Sequence, residues 1–236
     1  MGATEPHNLH LPYGTDTYQS LAVAERACEA AHELGAKVVL LPAIPYGTET
    51  NMQEFPLAIN LMPSTLTAVL RDVVDSLERS GVRKLLILNG HGGNDFKPVL
   101  RELHGRTSVH VFLCDWFRGL TADVQPEIFD DAGDHAGEME TSLMLAYFAD
   151  LVATDPRTGH LTADDGRMNA TRFAALNRKW VAFTRPWHLL TTNTGTGNPH
   201  PATAEKGRQL MDVMVERLSA FLVELSSAAI DARFPY

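Results

Sequence analysis

The chain has 236 residues, of which 44% are hydrophobic and 21% charged, and a formal net charge of −9. That acidity, with no basic cluster or basic–aromatic stretch to offset it, excludes nucleic acid as a partner, and no apolar run approaches the about 20 residues needed to cross a bilayer. The composition suits a water-soluble globule with a real core, and the absence of a linker-like stretch predicts one domain over residues 1–236.

In chain order, Asp16 to Leu34 is predicted helical, because Leu21, Ala24, Cys28, Ala31 and Leu34 recur at spacings of three and four before a stop at Gly35. Val38 to Leu41 then reads as a short strand closed by Pro42, and Phe55 to Leu61 as a second extended piece. Ser64 is expected to cap a helix carrying Leu66, Val69, Val73 and Leu77, ended by Gly81. The uninterrupted Leu85-Leu-Ile-Leu88 fits a parallel strand covered on both faces. A helix from about Phe96 to His104 and a strand from Val109 to Cys114 repeat the unit. Glu138 to Phe148 and Ala204 to Ser226 complete the helices, while residues 154 to 200 resist assignment.

This alternation predicts a three-layer α/β/α fold around a mostly parallel central sheet. Such sheets place their sites at the carboxyl ends of the strands, and His91 follows Leu88 by three residues. Cys28 and Cys114 sit in apolar patterns and read as buried free thiols of a reducing compartment. No charged-then-apolar leader opens the chain, so a cytoplasmic location is expected.

Three segments concentrate carboxylates and imidazoles, the donors chosen by borderline divalent ions. In the first, Glu5 and His7 are two apart, so in an extended chain both face one way. Asp16 follows after Pro12-Tyr-Gly-Thr15. In the second, Asn89-Gly-His-Gly-Gly-Asn94, glycines flank His91 and permit close backbone approach, yet their spacing matches neither a dinucleotide fingerprint nor a P-loop. In the third, Glu138 and Glu140 stand about 200° apart around a helix, so only one faces a given site. Glu140 is the expected ligand, and Glu138 the complement of the helix dipole. His135 has the pKa for proton transfer near neutrality, with Asp134 placed to orient it. His10 is a candidate for holding a ligand in place, and Trp116, Trp180 and Trp187 for lining a pocket or for ordinary packing.

The three motifs, with Gly197-Asn-Pro-His-Pro-Ala-Thr-Ala-Glu-Lys-Gly207 leading into the last helix, resemble the creatininase (creatinine amidohydrolase) family over nearly the whole chain. The resemblance implies two divalent ions, zinc, manganese or iron. Glu5, Asp16 and His91 would hold one ion, and His7, Asp16 and Glu140 the other, with Asp16 bridging. It also implies hydrolysis of a small cyclic amide by water activated between the ions, with His135 as proton donor and backbone N–H groups of Gly92 and Gly93 as oxyanion donors. A homo-oligomer, hexameric as is common in the family, is expected too.

Two departures qualify the match. Creatinine-hydrolysing members carry a Tyr-Glu pair where this chain has Gly92 and Gly93, which points away from creatinine itself. Formamides, carbohydrate-derived ring ketones, a peptide, or ligand binding without turnover then stay open. The family also runs an apolar strand into its first motif. Here the sequence opens at Met1-Gly2, so a missing strand and a frayed Glu5 and His7 are expected.

Overall fold

A computed structural model describes all 236 residues. Eight helices follow in order: α1 Thr15–Glu33, α2 Pro63–Arg79, α3 Lys97–Leu103, α4 Gln125–Ile128, α5 Glu138–Tyr147, α6 Ala174–Asn177, α7 Trp187–Leu190 and α8 Ala204–Ser227. Two strands, β1 Lys84–Asn89 and β2 His110–Asp115, pair in parallel, with Lys84 opposite His110 and Asn89 opposite Asp115.

The pleat of β1 divides the core in two. Leu86 and Leu88, with Cys114 of β2, pack onto Ala22, Val23 and Ala27 of α1 and Leu210 and Met214 of α8. Leu85 and Ile87, with Leu113, face Leu66, Leu70 and Val74 of α2 and Val99 of α3. Side chains that alternate between two helical layers are what a strand covered on both faces requires, so the α/β layering is as the sequence predicts.

Helix ends follow local chemistry. Gly35 and Gly81 take φ of +89° and +76°, and the next amide N–H folds back in each case, Ala36 to Ala31 O at 2.9 Å and Val82 to Leu77 O at 3.0 Å. Ser64 is not the cap of α2. Pro63 opens that helix, and its lack of an N–H leaves one fewer donor to satisfy.

The sheet is narrower than expected. Val38 to Leu41 forms no ladder, and Val39 is 84% exposed. A β-branched run carries strand propensity, but a strand exists only where a partner offers its hydrogen bonds. Phe55 to Leu61 is interrupted by Pro56 and by Leu57 at φ +61°. Only Asn60 pairs, as a single bridge to Gly47. Cys28 and Cys114 are unpaired and half-buried. No helix is long and apolar enough to cross a membrane.

The opening residues are not frayed. The Gly2 N–H donates to Ile44 O at 3.0 Å, and the Gly90 N–H to Met1 O at 3.0 Å. Residues 1–2 thus lie between the 44–45 segment and the end of β1, and Glu5 and His7 are buried.

Candidate metal centre

Four pieces of chain meet beyond the carboxyl end of β1. Glu5 and His7 come from the opening segment, whose Glu5 N–H donates to Tyr13 O at 3.0 Å. Asp16 lies in the first turn of α1 and His91 in the glycine loop after β1. His135 and Glu140 come from the entry to α5, where His135 bridges Thr196.

The donor atoms converge. His91 Nδ1 lies 3.0 Å from Glu5 Oε1 and 2.9 Å from Asp16 Oδ2. His7 Nε2 lies 3.0 Å from Asp16 Oδ1 and 4.0 Å from Glu140 Oε1. His135 Nδ1 is 3.6 Å from Glu5 Oε1. Two ligands held at about 2.0–2.1 Å from a common ion stand roughly 3 Å apart, the spacing found around Asp16. Three sets can each hold an ion: Glu5, Asp16 and His91; His7, Asp16 and Glu140; and Glu5, His7 and His135. Asp16 belongs to the first two, as a bridging carboxylate must.

Histidine orientation tests whether these residues fit a cation. The ring N–H of His7 Nδ1 donates to Glu5 O at 2.9 Å, that of His91 Nε2 to Thr48 O at 3.1 Å, and that of His135 Nε2 to Pro6 O at 2.8 Å. A carbonyl only accepts, so each ring presents its other nitrogen's lone pair to the carboxylates. Acceptors thus face acceptors: Glu5 Oε2 and Asp16 Oδ2 are buried without a donor. No Lys or Arg reaches any of these carboxylates. Uncompensated, each buried charge costs several kcal/mol. The arrangement is stable with a cation or with protons.

Protonation shifts report the same crowding. Burial pushes Glu5 well up, and the neighbouring Glu49 carboxylate adds to the rise. Burial likewise raises Glu140 to about 7, against the pull of His7. Burial disfavours charged His7, but Asp16 outweighs it and lifts the ring to about 10. The same opposition raises His91, through Glu5 and Asp16. Asp16 is depressed despite burial by His7 and His91. His135 is driven down by burial and by His7, and stays neutral.

The centre opens into a cavity of about 110 Å³, with Gly92, Gly93, Met52, Phe117, Arg118 and Trp187 among its walls. Of the three tryptophans, Trp187 alone lines it. Trp116 is core, and Trp180 is 71% exposed. Gly92 leaves room for a methyl group, its nearest neighbour being Arg118 at 3.6 Å. Gly93 does not: a Cβ there would lie 2.3 Å from both His91 Nε2 and Thr48 O.

Two expected roles change. Asp134 does not orient His135; its carboxylate turns outward to Arg185, 3.4 Å away, because Pro6 O already holds the His135 ring. Glu138 does more than complement a dipole. It is fully buried, accepts from the Asp130 and Asp131 N–H groups at 3.0 and 3.1 Å, and pairs with Lys206 of α8. Glu140 faces the centre, and His10 braces its neighbour Thr141 at 2.8 Å.

One residue escaped the reading of the sequence. Glu49 is buried against His91, with Oε1 2.8 Å from Nε2. A signal for it existed: Pro45-Tyr-Gly-Thr-Glu49 repeats Pro12-Tyr-Gly-Thr-Asp16 with a conservative last residue. Both copies deliver a carboxylate to the same place.

The chain is similar to known proteins over most of its length. The family profile Creatininase, described as creatinine amidohydrolase, matches residues 1–222. A creatinine amidohydrolase of Pseudomonas putida is 31% identical over a match covering 68% of this chain and 67% of the relative. A mycofactocin precursor peptide peptidase of Mycobacterium ulcerans (strain Agy99) is 30% identical, covering 92% and 80%. Among solved structures, a protein of Bacteroides fragilis NCTC 9343 assigned as a creatinine amidohydrolase superposes with a TM-score of 0.87 at 37% identity, covering 98% of this chain and 89% of that one. A manganese creatininase shares the fold at 24% identity, with a TM-score of 0.74 over 96% of this chain and 89% of its own, and a Zn–Zn form aligns similarly.

Proposed function

Because the chain belongs to the creatininase family of metal-dependent amidohydrolases, we propose that it hydrolyses a C–N bond of a small cyclic amide at a dinuclear centre. The observation that carries this reading is the orientation of His7, His91 and His135. Each is anchored through one nitrogen to a backbone carbonyl and turned with the other toward Glu5, Asp16 or Glu140. Glu5, Asp16 and His91 would hold one divalent ion, and His7, Asp16 and Glu140 the second. Zinc, manganese and iron all suit oxygen and nitrogen donors, and creatininases of this fold include manganese and Zn–Zn forms. When bound, such ions polarise a carbonyl and lower the pKa of water.

The remaining work falls to the chain's own groups. His135 is the proton carrier: its Nε2–H is fixed on Pro6 O, and its neutral Nδ1 takes the proton given up by the attacking water and passes it to the leaving nitrogen as the C–N bond breaks. Gly92 and Gly93 form the floor on which a developing oxyanion meets backbone N–H groups. Phe117 and Trp187 supply apolar walls, and the small volume favours a compact ring over a large ligand.

A second reading is a peptide bond as substrate, favoured by the peptide peptidase relative that matches 92% of this chain. The exposed Val39, Leu40, Leu41 and Trp180 suit burial in a homo-oligomer, hexameric in our proposal, and the unpaired cysteines suit the cytoplasm. Size-exclusion chromatography with light scattering tests the former.

The test of function is metal counting by elemental analysis after chelation and reloading, followed by mass spectrometry of cyclic amides, formamides, ring ketones and short peptides. Two equivalents of metal per chain with ring opening is the expected result. A chain that takes up no metal refutes the centre, and turnover of peptides alone replaces the cyclic-amide reading with the second.

A further inference from the structure

Glu49 is 2% exposed, and its Oε1 is among the buried oxygens without a hydrogen-bond donor. It is not adrift in a loop. The Glu49 N–H donates to Asn60 Oδ1 at 2.7 Å, and the Thr48 N–H to Asn94 Oδ1 at 3.0 Å. Asn94 is itself held by Asn89, as its side-chain amide donates to Asn89 Oδ1 at 3.1 Å. The turn that carries Glu49 is thus tied at both residues, by one asparagine of the glycine loop and one ahead of α2.

Glycine makes the approach possible. A Cβ on Gly47 would lie 2.7 Å from Asn94 Oδ1 and 2.9 Å from Gly2 O. A Cβ on Gly93 would lie 2.3 Å from Thr48 O and from His91 Nε2. Two glycines on two loops therefore clear the space in which Thr48 and Glu49 meet the back of the His91 ring. The Nε2–H points at Thr48 O, at 3.1 Å, and Glu49 Oε1 lies beside the same nitrogen, at 2.8 Å. That contact is electrostatic, off the N–H axis.

Charge asks for a partner that the chain does not provide. No Lys or Arg pairs with Glu49; His91 alone does. Two divalent ions bring one more positive charge than Glu5, Asp16 and Glu140 carry negative, and a carboxylate at Glu49 cancels it. Metal-bound imidazoles are commonly oriented through their other nitrogen by a carboxylate or a carbonyl, and losing that partner weakens metal binding. Here both kinds of acceptor stand behind one ring.

We propose that Glu49 is a fourth carboxylate of the centre: a positioning residue that sets the His91 ring and balances the charge of the ion held by Glu5, Asp16 and His91. The inference rests on the metal-centre reading given above. It also gives the repeated pentapeptide a function, since one copy ends in the bridging Asp16 and the other in the residue behind His91.

Glu49→Gln keeps the shape and removes the charge. The experiment is a titration of chelated wild-type and Glu49→Gln protein with Co²⁺, followed by calorimetry and by the visible d–d bands, with melting of both metal-free proteins alongside. The expected result is one of two binding steps weakened about 10–100-fold, altered d–d bands for that step, and a metal-free melting temperature that does not fall. Equal affinity at both steps overturns the role of Glu49. So does a lower metal-free melting temperature with both steps weakened alike, the signature of a scaffold residue. A wild-type chain that binds no Co²⁺ overturns the metal centre itself, and the role of Glu49 with it.

Discussion

Gly92 and Gly93 are neighbours in sequence, yet alanine is expected to be damaging at Gly93 and near neutral at Gly92. Neither glycine takes a positive φ, so any effect comes from the space around the new methyl group. At Gly93 that group would stand 2.3 Å from Thr48 O and from His91 Nε2. Ordinary contact lies near 3.4 Å or beyond, so one or both neighbours must move by about 1 Å. Overpacking of this kind costs about 1–3 kcal/mol. At about 2–4 °C per kcal/mol for a chain of this size, a mid-range cost of about 2 kcal/mol lowers the melting temperature by about 4–8 °C. The displaced ring is a candidate metal ligand that loses its carbonyl anchor, so affinity for the first ion should fall about 10–100-fold. At Gly92 the nearest atom to the new methyl is 3.6 Å away, and stability should stay within about 0.5 kcal/mol of the parent. Differential scanning fluorimetry and metal titration of the two variants measure both quantities. Similar melting and metal affinity for Gly93→Ala and Gly92→Ala would refute the placement of the Thr48–Glu49 turn behind His91.

Asp16→Ala should abolish loading of both metal positions and leave the fold intact, and retention of two equivalents by elemental analysis would rule out the bridging role. The metal-free protein should lose stability as pH rises. His7 is lifted from 6.5 to about 10 and Glu140 from 4.5 to about 7, so what their protons contribute is complete below the unfolded values and lost as pH climbs through the folded ones. Asp16 is depressed and acts oppositely, its contribution present above 3.8 and lost in acid. Metal replaces those protons, so the gap in melting temperature between loaded and chelated protein should widen from pH 5.5 to 8.5; a narrowing gap would contradict it. Asp134→Ala, which removes a partly exposed pair with Arg185 at the cavity wall and no contact with His135, should leave metal content and turnover near the parent values, whereas His135→Ala should suppress turnover; kinetics of the two variants separate the roles. Gly207→Ala should be among the most damaging substitutions, because its Cβ would lie 2.1 Å from Ser142 O where α8 crosses α5. A melting temperature within 2 °C of the parent, roughly the effect of 1 kcal/mol in a chain of this size, would show that the helices can separate at little cost.

Much of this protein is written locally. The helical period from Leu21 to Leu34, the glycines at 35 and 81, and the unbroken Leu85-Leu-Ile-Leu88 each act through contacts within a turn or a pleat, so the existence of α1, the ends of α1 and α2, and β1 were legible without tertiary information, whereas the face α1 buries runs through Ala22, Val23, Ala27 and Ala31 and leaves Leu34 exposed. Glu5, His7, Asp16, His91, His135 and Glu140 stood out as residue types within three short motifs, their grouping into one site came from the resemblance those motifs bear to a known family, and the structure brings their side chains together.

What the sequence could not decide was everything set by contacts between distant segments. Val38 to Leu41 has a strand's composition, and only the lack of a partner leaves it unpaired. The helical period turned Glu138 away from the site, but only the fold shows that Lys206 on α8 and the 130–131 amides hold it. Asp134 adjoins His135 in sequence, yet Pro6, 129 residues away, takes the ring. Glu49 becomes part of the centre because Gly47 and Gly93, on separate loops, leave no side chains between the Thr48 turn and His91. Residue type and local period determine which groups are available and which way each element turns them. Which of them meet around one buried charge depends on long-range packing, and that is encoded in no single stretch of the chain.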